Sequence, residues 1–152
     1  MFRGVNNINL DVKGRMAVPA RHREQFAVGD QYELMLTLAH RGTCLLLYPL
    51  SEWEMIERRL IELSDLNNSA YRLKQILLGH ANLCEFDGSG RVLIPPVLRE
   101  HLQIGKRAAL VGMGNKLELW QEERWQEERN LSLSQIGETD LEASEELSGL
   151  TL

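Results

Sequence analysis

The residues most capable of chemistry in this chain are Lys13, Gly14 and Arg15, which stand together at what reads as an exposed turn. Arginine presents a planar fork of donors that can give two hydrogen bonds to a guanine edge or to a phosphate. Glycine lets a backbone N–H come close to a phosphate with no side chain in the way. Lys13 suits phosphate as a mobile point charge. Arg3, Arg21 and Arg23 widen the positive set. Asp11 opens the segment, and an acid facing an anion repels it, so its expected role is to brace the turn. An ion pair from Arg15 to Asp11 that fixes a hairpin is the purely structural alternative for Arg15, and residue type alone leaves both readings open.

The segment occurs twice. Asn9-Leu10-Asp11-Val12-Lys13-Gly14-Arg15-Met16-Ala17-Val18-Pro19 returns as Glu85-Phe86-Asp87-Gly88-Ser89-Gly90-Arg91-Val92-Leu93-Ile94-Pro95, an offset of 76 that also relates Arg23 to Arg99. Further on, Leu45-Leu46-Leu47-Tyr48 matches Leu117-Glu118-Leu119-Trp120 at an offset of 72, as Trp53 matches Trp125. The first copy therefore carries about four extra residues, most simply in a loop before Cys44. Such self-similarity marks a tandem of two related units. The copies differ in charge. Ser89 stands where the first copy has Lys13, so Ser89, Gly90 and Arg91 are expected to form the weaker contact, or a structural duplicate, with Asp87 as its brace.

Each unit must hold its turn on something stiff. Alternation at Ile8/Leu10 and Met16/Val18 predicts strands on either side of the turn, and Gly14 and Gly90 supply its positive φ. Pro19 and Pro95-Pro96 open a short helix. Two strands follow in each unit, Tyr32–Leu38 with Leu45–Tyr48 and Ala108–Gly112 with Leu117–Trp120. Between the units, Ser51-Glu52-Trp53-Glu54 reads as a capping box for a helix bearing Trp53, Ile56, Leu60 and Leu63. Ser69 could cap a second helix bearing Leu73, Ile76 and Leu77, with Gly79 as its stop. The pattern predicts an α+β chain: a first repeat over 5–52, a helical linker over 53–80, a second repeat over 81–124, and a C-terminal helix with an acidic tail over 125–152. The apolar stripes of the linker pack within the chain or face a second subunit. Tyr48, Trp53, Trp120 and Trp125 are expected to pack in the interior rather than to stack on bases.

With these motifs the chain resembles the MraZ family of bacterial transcriptional regulators. The likeness runs from Met1 to about Leu131. It rests on Phe2-Arg3-Gly4, both Asp-x-x-Gly-Arg motifs, Leu45-Leu46-Leu47-Tyr48-Pro49 with Trp53, and Leu117-Glu118-Leu119-Trp120. The resemblance implies tandem AbrB-type units forming one pseudo-symmetric, swapped-hairpin β-barrel. It also implies ring-like homo-oligomers on repeated elements of double-stranded promoter DNA, regulating the division and cell-wall gene cluster and their own gene. On that likeness the DNA-binding set comprises Arg15, Lys13, Gly14 and Arg3, then Arg91, Ser89 and Gly90, while Asp11 and Asp87 brace the turns. Repression follows as an expectation, since an assembled ring on a promoter excludes polymerase.

Charge fits this layout once its position is considered. The net charge of the 152 residues is −5, yet residues 130–152 hold five acids and no Lys or Arg, so the rest balances. Residues 1–27 hold five basic and two acidic side chains. An anionic partner at one face is therefore permitted. Two cysteines, Cys44 and Cys84, make no disulfide framework and are expected as reduced thiols of a cytoplasmic protein; the family resemblance implies association with the nucleoid. No apolar run approaches a membrane span.

Enzyme signatures are weak. His22, His40, His80 and His101 are scattered, expected at surfaces or helix ends, and lack metal-ligand spacing with the cysteines. Gly112-Met113-Gly114 lacks the third glycine of a dinucleotide loop. No catalytic set, metal or cofactor is expected. The alternative to a DNA-binding regulator is an oligomeric assembly module that does not touch DNA.

Overall fold

The computed structural model describes residues 1–150. The chain divides into two compact units, Met1–Glu122 and Glu123–Leu152. The first holds strands β1 (Val5–Asn9), β2 (Arg15–Ala17), β3 (Ala27–Val28), β4 (Gln31–Leu38), β5 (Leu45–Pro49), β6 (Asn82–Glu85), β7 (Arg91–Leu93), β8 (Arg107–Gly112) and β9 (Leu117–Gln121). Its helices are α1 (Ala20–Arg23), a 3-10 turn at Glu24–Phe26, α2 (Leu50–Glu62), α3 (Asn68–Leu77) and α4 (Pro96–His101). The second unit is built on α5 (Glu122–Gln135) and α6 (Glu138–Ala143).

The units β1–β5 and β6–β9 exchange strands. β1 pairs with β8, β6 with β4, and β2 with β7, all antiparallel and all across the repeats. The expected hairpin of β1 on β2 reduces to a single bridge, Leu10↔Met16. Local alternation fixes which residues are extended but not their partner, and here each arm of the turn pairs with the other repeat. Two ladders reveal a pseudo-twofold relation: Met16 lies opposite Val92, and Leu46 opposite Glu118, each a residue facing its own repeat equivalent.

A closed barrel is not formed. The main sheet runs β1-β8-β9-β5-β4-β3 with β6 also on β4, and β2-β7 stands as a separate two-stranded sheet. With three residues per strand, β2 and β7 are too short to carry hydrogen bonding round to the main sheet, so the pairing stays open. The architecture is α+β with a mostly antiparallel sheet.

Register also corrects where the four extra residues lie. The β4–β5 connection runs over 39–44 and the β8–β9 connection over 113–116, which accounts for two. The pairing of β4 with β6 and of β8 with β1 places Leu34 opposite Cys84 and Ala108 opposite Ile8, so the other two precede Leu34. They fall where the first repeat forms the 3-10 turn and β3.

The core lies where the exchanged strands meet. Met16, Leu34, Leu36, Leu45, Leu47, Val92, Ile94, Leu110, Leu117 and Leu119 are fully buried. Each buried side chain of this kind contributes roughly 1.5–3 kcal/mol relative to exposure. Trp53, Trp120 and Tyr48 are buried as well, and the Tyr48 and Trp53 rings lie 5.9 Å apart. Burial pushes the Tyr48 hydroxyl up to about 12. Cys44 and Cys84 are buried and not disulfide-bonded, and burial pushes the Cys84 thiol up to about 11. His22 is buried rather than exposed, its ring 5.7 Å from that of Phe2 and its Nε2 3.3 Å from Asn6 Oδ1.

The linker is the expected helix pair with different caps. α2 starts at Leu50 behind Pro49, so Ser51 lies inside the helix and caps nothing. Pro49, with φ −55°, has no N–H to satisfy and starts the turn without help from a side chain. α3 is capped by Asn67, whose side chain accepts from the Ala70 N–H at 3.0 Å, two residues before Ser69. Trp53 and Leu60 are buried, whereas Leu63 is exposed. Lys74 ties the helices together by donating to the Leu63 carbonyl and, at 2.8 Å, to Asp65. In the second unit, the expected tail turns into α6, where the Asp140 carboxylate accepts from the Gly137 N–H at 2.9 Å. Among the described residues no helix is long and apolar enough to cross a membrane.

Candidate nucleic-acid interface

Both Asp-x-x-Gly-Arg segments fold alike. The Gly14 N–H donates to the Asp11 carbonyl at 3.0 Å and the Asp11 N–H to the Arg15 carbonyl at 2.9 Å. The equivalent bonds in the second copy are Gly90 to Asp87 at 3.0 Å and Asp87 to Arg91 at 2.8 Å. Gly14 at φ +85° and Gly90 at φ +72° sit in the left-handed region that ends such three-residue loops. Each aspartate organises its turn. Asp11 Oδ1 accepts from the N–H groups of Lys13 at 3.0 Å and Arg15 at 2.9 Å, while Oδ2 accepts from Arg15 Nε at 2.8 Å. Asp87 does the same with Ser89, Arg91 and Arg91 Nε at 2.9, 2.9 and 3.0 Å.

The structural and cationic readings of Arg15 are therefore compatible. Only Nε is spent on Asp11, and one third of the side chain remains exposed. Its two Nη groups make no ion pair or hydrogen bond with any described residue. Arg91 is more heavily engaged, because its Nη1 also lies 3.7 Å from Asp11 Oδ2. The two aspartates thus approach one another around Arg91, and Arg91 has less to offer outward than Arg15. Lys13 and Ser89 are exposed at the tips.

The exchange of strands sets the turns side by side. The Ile94 N–H donates to the Gly14 carbonyl at 3.0 Å, and the Val18 N–H to the Gly90 carbonyl at 3.3 Å. A Cβ on Gly14 would run into the guanidinium of Arg99, and one on Gly90 into that of Arg23. Each bare glycine is therefore covered by an arginine of the opposite repeat. The recurrence of Arg23 and Arg99 is visible in the sequence, but not that each reaches the other copy's turn.

Arg3 is not part of this cluster. It is exposed between Phe2, which bridges Gly114, and Gly4, which bonds Gly112. β1 separates it from Asp11 by eight residues of mostly extended chain, on the order of 25 Å. Arg21 turns toward β1 as well, donating to Asn6 Oδ1 at 2.7 Å.

Two cations overlooked by motif reading flank the first turn. Leu10 donates to the Lys106 carbonyl at 2.8 Å, and Arg107 lies opposite Asn9; both basic side chains are exposed. The matching positions at the second turn are acidic or neutral: Phe86 donates to Tyr32 at 3.1 Å, and Glu33 lies opposite Glu85.

The turns predict a specific acid response. Backbone N–H donation from Arg15, then its guanidinium, holds the Asp11 carboxyl below the ordinary 3.8 against an opposing burial effect. The Arg91 N–H leads the same lowering at Asp87. Carboxyls held low in the folded state add stability above their unfolded value and lose it as pH falls through the folded value. Melting temperature should thus hold from neutrality to about pH 5 and fall below about pH 4. Replacing both Asp11 and Asp87 by Asn should flatten that acid limb, as measured by calorimetric melts across pH. Exposure of both groups keeps the effect modest.

Comparison of the sequence with known proteins places the chain in a family. The model of the MraZ protein family matches residues 1–76 and again 77–143. The chain belongs to the MraZ family. Its full 152 residues are 49% identical to the whole of a protein of Halorhodospira halophila and 45% identical to the whole of one of Shewanella denitrificans. A Hydrogenovibrio crunogenus protein is 46% identical over 151 residues, 99% of this chain and 98% of its own. All three are named "Transcriptional regulator MraZ". The two matched MraZ segments meet at the last residue of α3, and each contributes one Asp-x-x-Gly-Arg turn.

Proposed function

We propose that this chain is a sequence-specific DNA-binding transcriptional regulator in which the first turn, Lys13-Gly14-Arg15, makes the principal contact. The observation that carries this reading is the partly exposed Arg15 guanidinium, fixed through Nε with both Nη groups free for a second partner. An arginine held this way enters a groove already oriented, so little rotamer freedom is lost on binding. Lys13 serves phosphate beside it, while Gly14, buried beneath Arg99 with its N–H given to the Asp11 carbonyl, contributes by shaping the turn. Arg91, Ser89 and Gly90 form a lesser contact, because Arg91 is shared between two carboxylates and Ser89 carries no charge. Arg3, distant from the first turn within one chain, joins only where DNA runs along β1. The swapped-hairpin reading of the fold is supported by the reciprocal pairing of β1, β2 and β6 across the repeats.

Contacts from one chain are few. Linking several chains raises effective concentration and turns weak contacts into tight binding on spaced repeats. The reading therefore includes a ring-like homo-oligomer on repeated elements upstream of its own gene and of the division and cell-wall genes, acting as a repressor by occupying the promoter. The test is a fluorescence-anisotropy titration of the whole protein on its own upstream duplex and on a scrambled one, at two salt concentrations. The upstream duplex should bind more tightly, with affinity falling steeply as salt rises. Equal binding to both duplexes would remove specificity, and no binding at low salt would remove the DNA contact. Light scattering on the same samples should give a multiple of the chain's 17.4 kDa.

A further inference from the structure

The two turns are equivalent in backbone and unequal in surroundings. Around the first, the second repeat supplies Arg99 over Gly14, Lys106 beside Leu10 and Arg107 opposite Asn9. Around the second, the first repeat supplies Arg23 over Gly90, but Tyr32 and Glu33 stand at the other two places. Glu33 there faces Glu85 across the strands, and a surface cavity of about 270 Å³ has Asp30, Glu33, Glu85 and Asp87 in its lining. Two carboxylates directly opposite one another cost stability in an antiparallel pair. Arg23 lines a neighbouring cavity together with Glu24 and Asp87, and among the described residues neither Arg23 nor Arg99 has a carboxylate within ion-pair distance.

We infer that the DNA-binding face is composite and one-sided: Arg99, Lys106 and Arg107 of the second repeat complete the positive surface at the first turn and contact phosphate there, while the pseudo-equivalent flank of the second turn, with Tyr32 and Glu33, adds no phosphate contact to the lesser one its turn makes. This rests on the DNA-binding reading above. It adds that the face needs both halves of the chain, and that the tandem duplication has specialised one face for an anion. These residues contact phosphate, not base edges, so they set affinity and salt dependence without choosing the sequence.

Matched positions give an internal control. The double variant Lys106→Gln/Arg107→Gln changes two exposed side chains and leaves the core untouched. Anisotropy titrations from about 50 to 200 mM salt should show weaker binding to upstream and scrambled duplexes by the same factor. The slope of log affinity against log salt should become shallower by about 0.9 for each phosphate no longer neutralised. Arg99→Gln should act the same way, and Arg99→Lys should restore the slope, which a merely structural arginine would not do. Glu33→Gln/Glu85→Gln should leave the slope in place. A wild-type slope in the Lys106/Arg107 variant, with the wild type binding normally, overturns the inference alone. A gain of affinity in the Glu33/Glu85 variant as large as the loss in the Lys106/Arg107 variant would place that flank on DNA and overturn its one-sidedness. A wild type that binds neither duplex overturns both this inference and the reading beneath it.

Discussion

Arg15→Ala should weaken binding to the upstream duplex by at least roughly tenfold and up to a hundredfold for each chain engaged, the range for removing one bidentate base contact. The effect exceeds that of a simple contact. Removing the guanidinium takes Asp11's nearest cation away and leaves Arg91 Nη1, at 3.7 Å, as its remaining guanidinium neighbour. A carboxylate at the base of the turn, with less positive charge beside it, then repels phosphate. Asp11→Asn added to Arg15→Ala should therefore recover part of the affinity. Arg15→Lys keeps the charge but neither the fork nor the Nε bond, so the preference for upstream over scrambled DNA should fall more than the affinity for scrambled DNA. Arg91→Ala should cost less on every duplex, because that side chain is already divided between Asp11 and Asp87. Anisotropy on the four variants checks the order. A larger effect at Arg91 than at Arg15 would contradict the assignment of the leading turn.

Met16→Ala should cost about 2–4 kcal/mol of folding stability, as measured by urea unfolding. Met16 is wholly buried and pairs with Val92, its own repeat equivalent, at the centre of the ladder from which both turns spring. The deletion opens a cavity between two three-residue strands that have few other bonds to hold them. Val12→Ala, at a fully exposed position in the adjacent turn, should change stability by less than about 0.5 kcal/mol. The binding surface and the core are thus coupled by construction, since β2·β7 carries both turns at once.

Several features are legible in the residues because they are local. The Asp-x-x-Gly-Arg turn announces itself through a glycine at the position that needs positive φ and an acid three residues before it. The helix pair and strands β4, β5, β8 and β9 follow from apolar spacing, within a residue or so at each end. What escapes is non-local. Alternation at Ile8/Leu10 cannot say that β1 pairs with β8, because spacing fixes which residues are extended and not their partner, which here lies in the other repeat. Arg99 and Arg23 recur at the repeat offset, yet only the fold brings each over the opposite glycine. Lys106 and Arg107 carry no motif, and their importance comes from lying beside Leu10 and Asn9. The helix caps differ for another reason. A serine followed by a glutamate three residues on is a good signal only when nothing upstream can start the helix first, and Pro49 does.

The most direct measurement is hydrogen exchange of the intact protein, free and saturated with its own upstream duplex, read by mass spectrometry peptide by peptide. Exchange should slow over residues 11–18 and 99–107, slow less or not at all over 85–92, and stay unchanged in the α2–α3 pair apart from any subunit contact. Slowing confined to the helices, or none at all under conditions where the duplex is bound, would contradict DNA binding at the first turn.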